Sequence, residues 1–369
     1  MCKDKMITKI PEIIIYGAGS MGTVLGAFLE KAGIATDLVS RDKEHIEALK
    51  KEGAKIGGTV SFSTLPFDNR DGRSHAMLPD EMQRGTFDAK RLGASLQKKY
   101  DIIFLLTKQI DNAATANMLK NYLSPDGVVC TMQNGIPEPA LAEILGPEKT
   151  LGCMCAWGAI KTAPGKVDLT TKTDGMSFGL GSLSAGQHPM LSTVRDLLEK
   201  VCPVTVEQNF IGVRWSKLLI NAAFSGMSAV TGYNFGTVAA DKRSRDCALH
   251  IIKECINVCN AAKVRIEPVQ GRDIVRLMDF NNSLQKLKAS IILPFAIRKH
   301  RAITSSMLRD LDRGRLCEIE DINGVVCAWG RKHGVQTPYN DRIVEIVHSI
   351  ERGERKYSPQ NLKLFKEKL

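Results

Sequence analysis

Two groups of residues in this 369-residue chain have the types and spacing for chemistry. The first is Gly17-Ala18-Gly19-Ser20-Met21-Gly22, a G-x-G-x-x-G turn. The second is Lys217 with Asn221, an i,i+4 pair on one face of an otherwise apolar run, Leu218 to Phe224. The glycine turn has the form of an anion cradle. Gly17 permits a tight turn, Gly19 lets the backbone approach a pyrophosphate, and Gly22 lets the following helix lie close on its strand. The helix N-terminus offers unpaired N–H groups and a positive dipole end to the phosphates. Lys217 lies near an expected domain boundary, where clefts form. A lysine in a closed cleft can donate a proton. A lysine on such a helix can equally snorkel to water.

The elements that must position these groups are legible from periodicity. Ile13 to Tyr16 is a strand, a helix runs on to about Gly33, and Thr36 to Val39 is a second strand. Strand, glycine turn, helix and strand make one βαβ unit, the context that gives the motif meaning as a dinucleotide site. An NAD site usually carries Asp or Glu at the end of the second strand. This chain has Ser40-Arg41 there. A guanidinium suits a 2′-phosphate, bidentate and always charged, so the reading is NADP(H). Its alternative is an ordinary solvated arginine opening the next helix.

Asp101 to Thr107 is a continuous apolar strand with Lys108 at its carboxyl end. Val128 to Met132 leads into Gln133-Asn134-Gly135, and Thr150 to Ala156 is a further strand. Alternating strands and helices mean a parallel sheet with helices on both faces. The expected fold is α/β, an N-terminal Rossmann doubly wound sheet over residues 1–207 followed by an all-helical domain over 208–369. Ligands of such sheets bind at the carboxyl strand ends, which brings Ser20, Lys108 and Asn134 to the crevice. Asn134 precedes a glycine and also reads as a plain turn residue.

Between these landmarks, Ala54 to Leu65 reads as strands with a Gly57-Gly58 turn, and Thr86 to Lys99 as partly helical. Gly165 to Gly181 reads as hairpins. In the second domain Thr237 to Val264 reads as one long helix, and a helix from Ser283 stops at Ile292, ahead of Pro294. Thr337-Pro338 starts a helix with Thr337 as N-cap. The tail after Arg352 carries a short surface helix. Glu318 opens a periodic segment ending at Gly334, where a first-turn acid also serves the helix dipole.

Composition narrows the classes. The net charge is +11, but no dense Lys/Arg block interleaves with aromatics, so nucleic acid is not the expected partner. The ten cysteines are scattered without a C-x-x-C pair, as expected of reduced thiols in the cytoplasm. Met1 to Lys9 lacks the apolar run of a signal peptide, and no stretch reaches the ~18 apolar residues of a membrane span. The seven histidines have no paired ligand spacing, so no metal is expected.

Taken together, the chain resembles the ketopantoate reductase (2-dehydropantoate 2-reductase) family. The matching pieces are the glycine turn, Ser40-Arg41, Thr107-Lys108, Gln133-Asn134-Gly135, and Lys217-Leu218-Leu219-Ile220-Asn221-Ala222-Ala223. They continue with Ser305-Ser306-Met307-Leu308, Arg313-Gly314-Arg315, Glu318 to Gly324 and Gly334 to Pro338. The resemblance implies an oxidoreductase of pantothenate biosynthesis that reduces 2-dehydropantoate to pantoate with NADPH. It implies that Lys217 is the general acid and that Glu318 orients it or the substrate. Gly17, Gly19, Ser20, Met21, Gly22 and Arg41 would hold the cofactor. Lys108 and Asn134 would hold cofactor and substrate, and Asn221 and Ser306 the substrate. Two departures fall on substrate contacts. Ser225-Gly226 stands where family members acting on ketopantoate carry Asn-Pro, and Ile303 where they carry Asn. A related enzyme with another keto acid or an opine-type substrate, or a non-catalytic NADP(H)-binding regulator, is the alternative. A homodimer through the helical domain is compatible with the pattern.

Overall fold

The computed structural model describes residues 11–68, 74–84, 98–184, 187–269 and 271–365. It divides into two compact units, residues 1–133 with 137–210, and residues 134–136 with 211–369.

The first unit is built on a sheet of eight strands. They are β1 (Ile13–Tyr16), β2 (Asp37–Val39), β5 (Ala76–Met77), β6 (Tyr100–Leu105), β7 (Leu123–Thr131), β8 (Thr150–Cys155), β11 (Phe178–Ser182) and β12 (Val204–Val206). Their order is β12-β11-β8-β7-β6-β1-β2-β5. Every neighbouring pair is parallel except β8 with β11. In β1, Ile15 pairs with Leu38 on one side and Phe104 on the other. The order therefore reverses at β1, and a crevice opens beyond its carboxyl end.

The apolar runs are continuous because both faces are covered. Ile13, Ile15, Ile102 and Phe104 belong to one buried cluster, while Ile14, Ile103 and Leu105 belong to another. Alternate side chains of a strand point to opposite faces, so each face has its own core. Helices α1 (Ser20–Lys31), α2 (Lys43–Glu52), α3 (Pro79–Arg84), α4 (Asn112–Lys120), α5 (Glu138–Leu145) and α6 (Leu191–Leu198) complete the unit.

A second, four-stranded sheet was not expected. It contains β3 (Lys55–Gly58), β4 (Phe62–Ser63), β9 (Ala159–Ala163) and β10 (Lys166–Leu169), in the order β4-β3-β10-β9. Gly57 and Gly58 lie in β3 rather than in its turn. The hairpin turn is at Gly165, whose φ of +69° favours glycine. Most of the segment expected to be partly helical, residues 85–97, lies outside the described residues.

A buried histidine joins the small sheet to the glycine turn. The Gly165 N–H donates to His45 Nδ1 at 2.9 Å, and His45 Nε2 lies 2.9 Å from Thr23 Oγ1. Since Nδ1 accepts, the neutral tautomer carries its proton on Nε2 and donates to Thr23. The Thr23 hydroxyl in turn donates to the Ala18 carbonyl. Burial first, and then the charge of Lys161, push the His45 pKa down to about 4.

The second unit is helical: α7 (Phe210–Thr231), α8 (Phe235–Ala240), α9 (Lys242–Ala261), α10 (Ile274–Met278), α11 (Ser283–Ala296), α12 (Ser306–Asp312), α13 (Val325–His333) and α14 (Pro338–Glu351). Its core gathers Trp215, Leu219 and Ala222 of α7, Ile252 and Cys255 of α9, and Ile343 and Val347 of α14. The long helix expected from Thr237 is two helices. Asp241 adopts an extended backbone and its side chain caps α9 through the Ser244 N–H.

Three further expectations are corrected. Pro294 lies inside α11, two residues from its end, so the helix continues through a position that has no N–H to give the carbonyl four residues back. Thr337 precedes α14 but donates its hydroxyl to Asp341 instead of capping the helix. The tail is not a surface helix. Residues Pro359–Phe365 form a 3-10 turn that buries Leu362 and Phe365, and Asn361 donates to the Val230 carbonyl at the end of α7. One face of α11 leaves Leu284, Leu287, Ile291 and Phe295 exposed. Among the described residues no helix is long and apolar enough to cross a membrane.

His45 gives the fold an acid sensitivity. Its pKa is about 4 when folded against 6.5 when free, so the unfolded chain takes the proton first. Stability is full above about pH 6.5 and falls towards pH 4, by a total of about 3 kcal/mol. Urea unfolding at stepped pH should show this slope in the wild type and a flatter one in His45→Gln. Equal slopes would remove the histidine from the account.

Candidate active site

In the first unit the three glycines have different surroundings. Gly17 has φ +114°, and a Cβ there would stand 2.6 Å from both Leu106 C and Thr107 N, beyond the end of β6. A Cβ on Gly22 would stand 2.4 Å from the Gly17 carbonyl oxygen. Both are closed by backbone. Gly19 is the opposite: nothing lies within 4 Å of a Cβ built on it. Gly19 also begins α1 without any side-chain cap, so the first N–H groups of the helix have no acceptor within it. An open glycine beside uncapped helix amides fits a pyrophosphate.

At the carboxyl end of β2, Arg41 is exposed and makes no ion pair among the described residues. Two acids of this stretch, Asp42 and Asp37, are committed elsewhere. Asp42 caps α2 through the His45 N–H at 3.0 Å and pairs with Lys161. Burial would raise its carboxyl, but the bonds from Lys161 and His45 outweigh this and hold the pKa low. Asp37 sits at the other end of β2, where Tyr100 O–H and Lys98 Nζ donate to it at 2.9 Å and 2.8 Å.

The Ser20 hydroxyl accepts the Lys161 N–H at 2.9 Å, so it fastens α1 to the small sheet. Lys161, which sequence reading missed, thus stands at both ends of the Ser20–Asp42 stretch. Its strand comes from a distant segment, which no local pattern could reveal. Lys108 is half-buried in extended backbone just after β6, ahead of the 3-10 turn Gln109–Asp111. Met21 is half-buried in the first turn of α1 and packs on the sheet's core.

Gln133 opens the Gln133-Asn134-Gly135 piece. It is buried, and its amide donates to the Thr107 carbonyl at 3.0 Å and to Asn112 Oδ1 at 2.7 Å. It therefore ties the carboxyl ends of β6 and β7 together.

Asn134, the next residue, belongs to the second unit. There it is the middle of a hydrogen-bonded chain. Lys217 Nζ donates to Asn134 Oδ1 at 3.3 Å, and Asn134 Nδ2 donates to Glu318 Oε2 at 3.3 Å. Glu318 is 8% exposed. The turn that follows it, Glu320–Gly324, is a π-helical turn leading into α13. Single π turns recur at functional sites because they re-aim one residue.

One turn along α7 from Lys217, Asn221 accepts a hydrogen bond from Ser225 Oγ at 2.5 Å. That contact orients the Asn221 amide and leaves its N–H groups to donate. Ser225, a departure from the family pattern, thus holds the Asn221 side chain. Ser306 is exposed in the first turn of α12, while its neighbour Ser305 makes the cap, accepting the Leu308 N–H at 3.0 Å. Among the described residues no hydrogen bond joins Ser306 to the lysine chain.

The family model for ketopantoate reductase PanE/ApbA matches residues 13–182, and the model for its C-terminal region matches 209–351. The chain belongs to the ketopantoate reductase family. It is a dinucleotide-binding oxidoreductase. A 2-dehydropantoate 2-reductase of Pyrococcus horikoshii is 24% identical over 344 residues, covering 92% of this chain and 97% of its own. One from Archaeoglobus fulgidus is 25% identical over 351 residues, covering 94% and 99%. Among solved structures, a PanE/ApbA family ketopantoate reductase from Ralstonia eutropha superimposes with a TM-score of 0.73 at 19% identity, covering 93% of this chain and 99% of that one. D-mandelate dehydrogenase in complex with NADH and anilino(oxo)acetate gives 0.72 at 20%, with the same coverage. At these identities the structural likeness speaks for the fold.

The α7 face bearing Lys217 and Asn221 is fixed from behind. Asn323 donates to the Ala222 carbonyl at 3.2 Å and to Asn340 Oδ1 at 2.9 Å. Its amide lies against Gly226, where a Cβ would come within 2.8 Å of Asn323 Oδ1. Gly226→Ala should therefore cost about 1–3 kcal/mol through overpacking and lower kcat, because α7 must shift. A melting temperature and rate equal to wild type would show that Asn323 yields without consequence.

Proposed function

We propose that this enzyme reduces a 2-keto acid to the 2-hydroxy acid with NADPH, and that 2-dehydropantoate, giving pantoate, is the first substrate to test. The observation that carries the reading is the chain Lys217–Asn134–Glu318. An ammonium held by a neutral amide, with a buried carboxylate behind it, is suited to an oxygen that gains charge during reaction.

The bound dinucleotide supplies a hydride to the carbonyl carbon. As the C=O electron pair moves onto oxygen, Lys217 Nζ gives that oxygen a proton and is later reprotonated from water. Asn134 accepts one ammonium N–H and so limits where the others point. Glu318 fixes the Asn134 amide in the orientation that does this. Asn221, held by Ser225, and Ser306 are donors for the substrate, and Lys108 is a cation for cofactor or substrate.

Exposed Arg41 supports NADP(H) over NAD(H), since Asp42, the acid next to it at the end of β2, is bonded to the His45 N–H and to Lys161. A regulator that only binds the dinucleotide would have no use for the lysine chain. The exposed stripe Leu284, Leu287, Ile291 and Phe295 on α11 supports a homodimer, and a monomer mass by light scattering would remove that part of the proposal.

Lys217→Ala should lower kcat by about 10²–10⁴-fold while NADPH affinity is kept. Unchanged turnover would end the proton-donor role. Arg41→Ala should raise KM for NADPH about 10- to 100-fold, the worth of a charged hydrogen bond, and leave KM for NADH alone. Equal effects on the two cofactors would argue against a 2′-phosphate contact.

A further inference from the structure

The second unit contains a cavity of about 560 Å³ beside the lysine-bearing face of α7. This lies within the ~300–1,000 Å³ of small-molecule sites. Ile220 and Phe224 line it. They stand three and seven residues after Lys217, so they continue its helix face. Leu293 and Ala296 of α11 and Ile303 add to the wall.

The lining is chemically one-sided. Among the described residues every lining side chain is apolar except Arg272, Arg298, Lys299 and His300, and these four are exposed. The wall offers no hydroxyl, amide or carboxylate to a ligand. It therefore fits an apolar body carrying an anionic group.

We propose that this cavity receives the substrate's side chain and that the preferred substrates are 2-keto acids with bulky, purely apolar side chains, branched alkyl or aryl. This rests on the 2-keto acid reductase reading given above and narrows it. The side chain of 2-dehydropantoate ends in a hydroxyl. Buried against the apolar part of this wall, away from the basic rim, the hydroxyl meets no polar side chain, which disfavours it by roughly 10- to 100-fold relative to an apolar group of the same size. Ile303 has the same effect from the protein side, with a branched alkyl group where an amide could have met that hydroxyl. The basic rim draws the carboxylates in and does not distinguish between them.

The test is kcat/KM with NADPH for 2-oxobutanoate, 2-dehydropantoate, 4-methyl-2-oxopentanoate and phenylpyruvate, using the full chain. The expected result is at least about tenfold preference for the last two over 2-dehydropantoate. Ala296→Trp, which fills the cavity from the end of α11, should cut phenylpyruvate turnover by about tenfold or more relative to 2-oxobutanoate. Ile303→Asn should shift preference back towards 2-dehydropantoate. Turnover that favours 2-dehydropantoate, or an Ala296→Trp protein that melts like wild type and loses all substrates alike, overturns the cavity's role but leaves the reductase reading standing. Absence of turnover with every keto acid overturns that reading, and this inference with it.

Discussion

The close approach of β1 to the chain leaving β6 is the constraint from which the dinucleotide site follows. Gly17 touches Leu106 and Thr107 where any side chain would overlap backbone, and Gly22 closes on Gly17 in the same way. Only because both contacts are made does α1 start directly above the end of β1. Its uncapped amides then open onto the crevice where the strand order reverses. Two glycines of the motif are thus spent on the protein's own packing. Of the three, Gly19 alone has open space where a side chain would stand.

Each unit adds a buried polar chain to the apolar packing behind its candidate site. In the first, Gly165, His45 and Thr23 run from the small sheet to the Ala18 carbonyl. In the second, Glu254 accepts from Tyr339 and Asn340, Asn340 accepts from Asn323, and Asn323 donates to α7. Burial pushes the Glu254 pKa up to about 7, with the three N–H donors acting against it. Buried polar groups are costly unless every partner is in place. These bonds orient the helices they reach, although the buried Asn323 Oδ1 has no hydrogen-bond partner among the described residues.

What the sequence discloses is what is local. The unit from Ile13 to Val39 is legible almost to the residue, because strand period, glycine turn and helix period follow one another without interruption. Lys217, Asn134 and Glu318 could be named singly as strand-end or helix-face residues. Their meeting could not be read, since 83 and 184 residues separate the bonded pairs. The small sheet was hidden for the same reason: β3 pairs with β10, and Ile56 meets Val167 across the sheet. The break at Asp241 was missed because apolar periodicity runs through it, although an Asp three residues before the amide it caps is a local signal. The tail looked like surface because it is polar, yet Asn361 uses that polarity to bond the end of α7.

The residue at the centre of the second unit's site has to be an asparagine, and the reason lies in its two bonds. Its Oδ1 accepts from an ammonium while its Nδ2 donates to a carboxylate. Aspartate could do the first but not the second, and it would set two carboxylates side by side, a like-charge pair that disfavours ionisation of either. Serine is shorter and has a single oxygen for both tasks. Glutamine carries the same groups on a longer stem, with one more rotor to fix. A short amide can accept from Lys217 and donate to Glu318 at once. The Asn-Gly pair at 134–135 is therefore more than a turn. The glycine takes the φ of +78° that the backbone needs there, and the asparagine side chain bonds both Lys217 and Glu318.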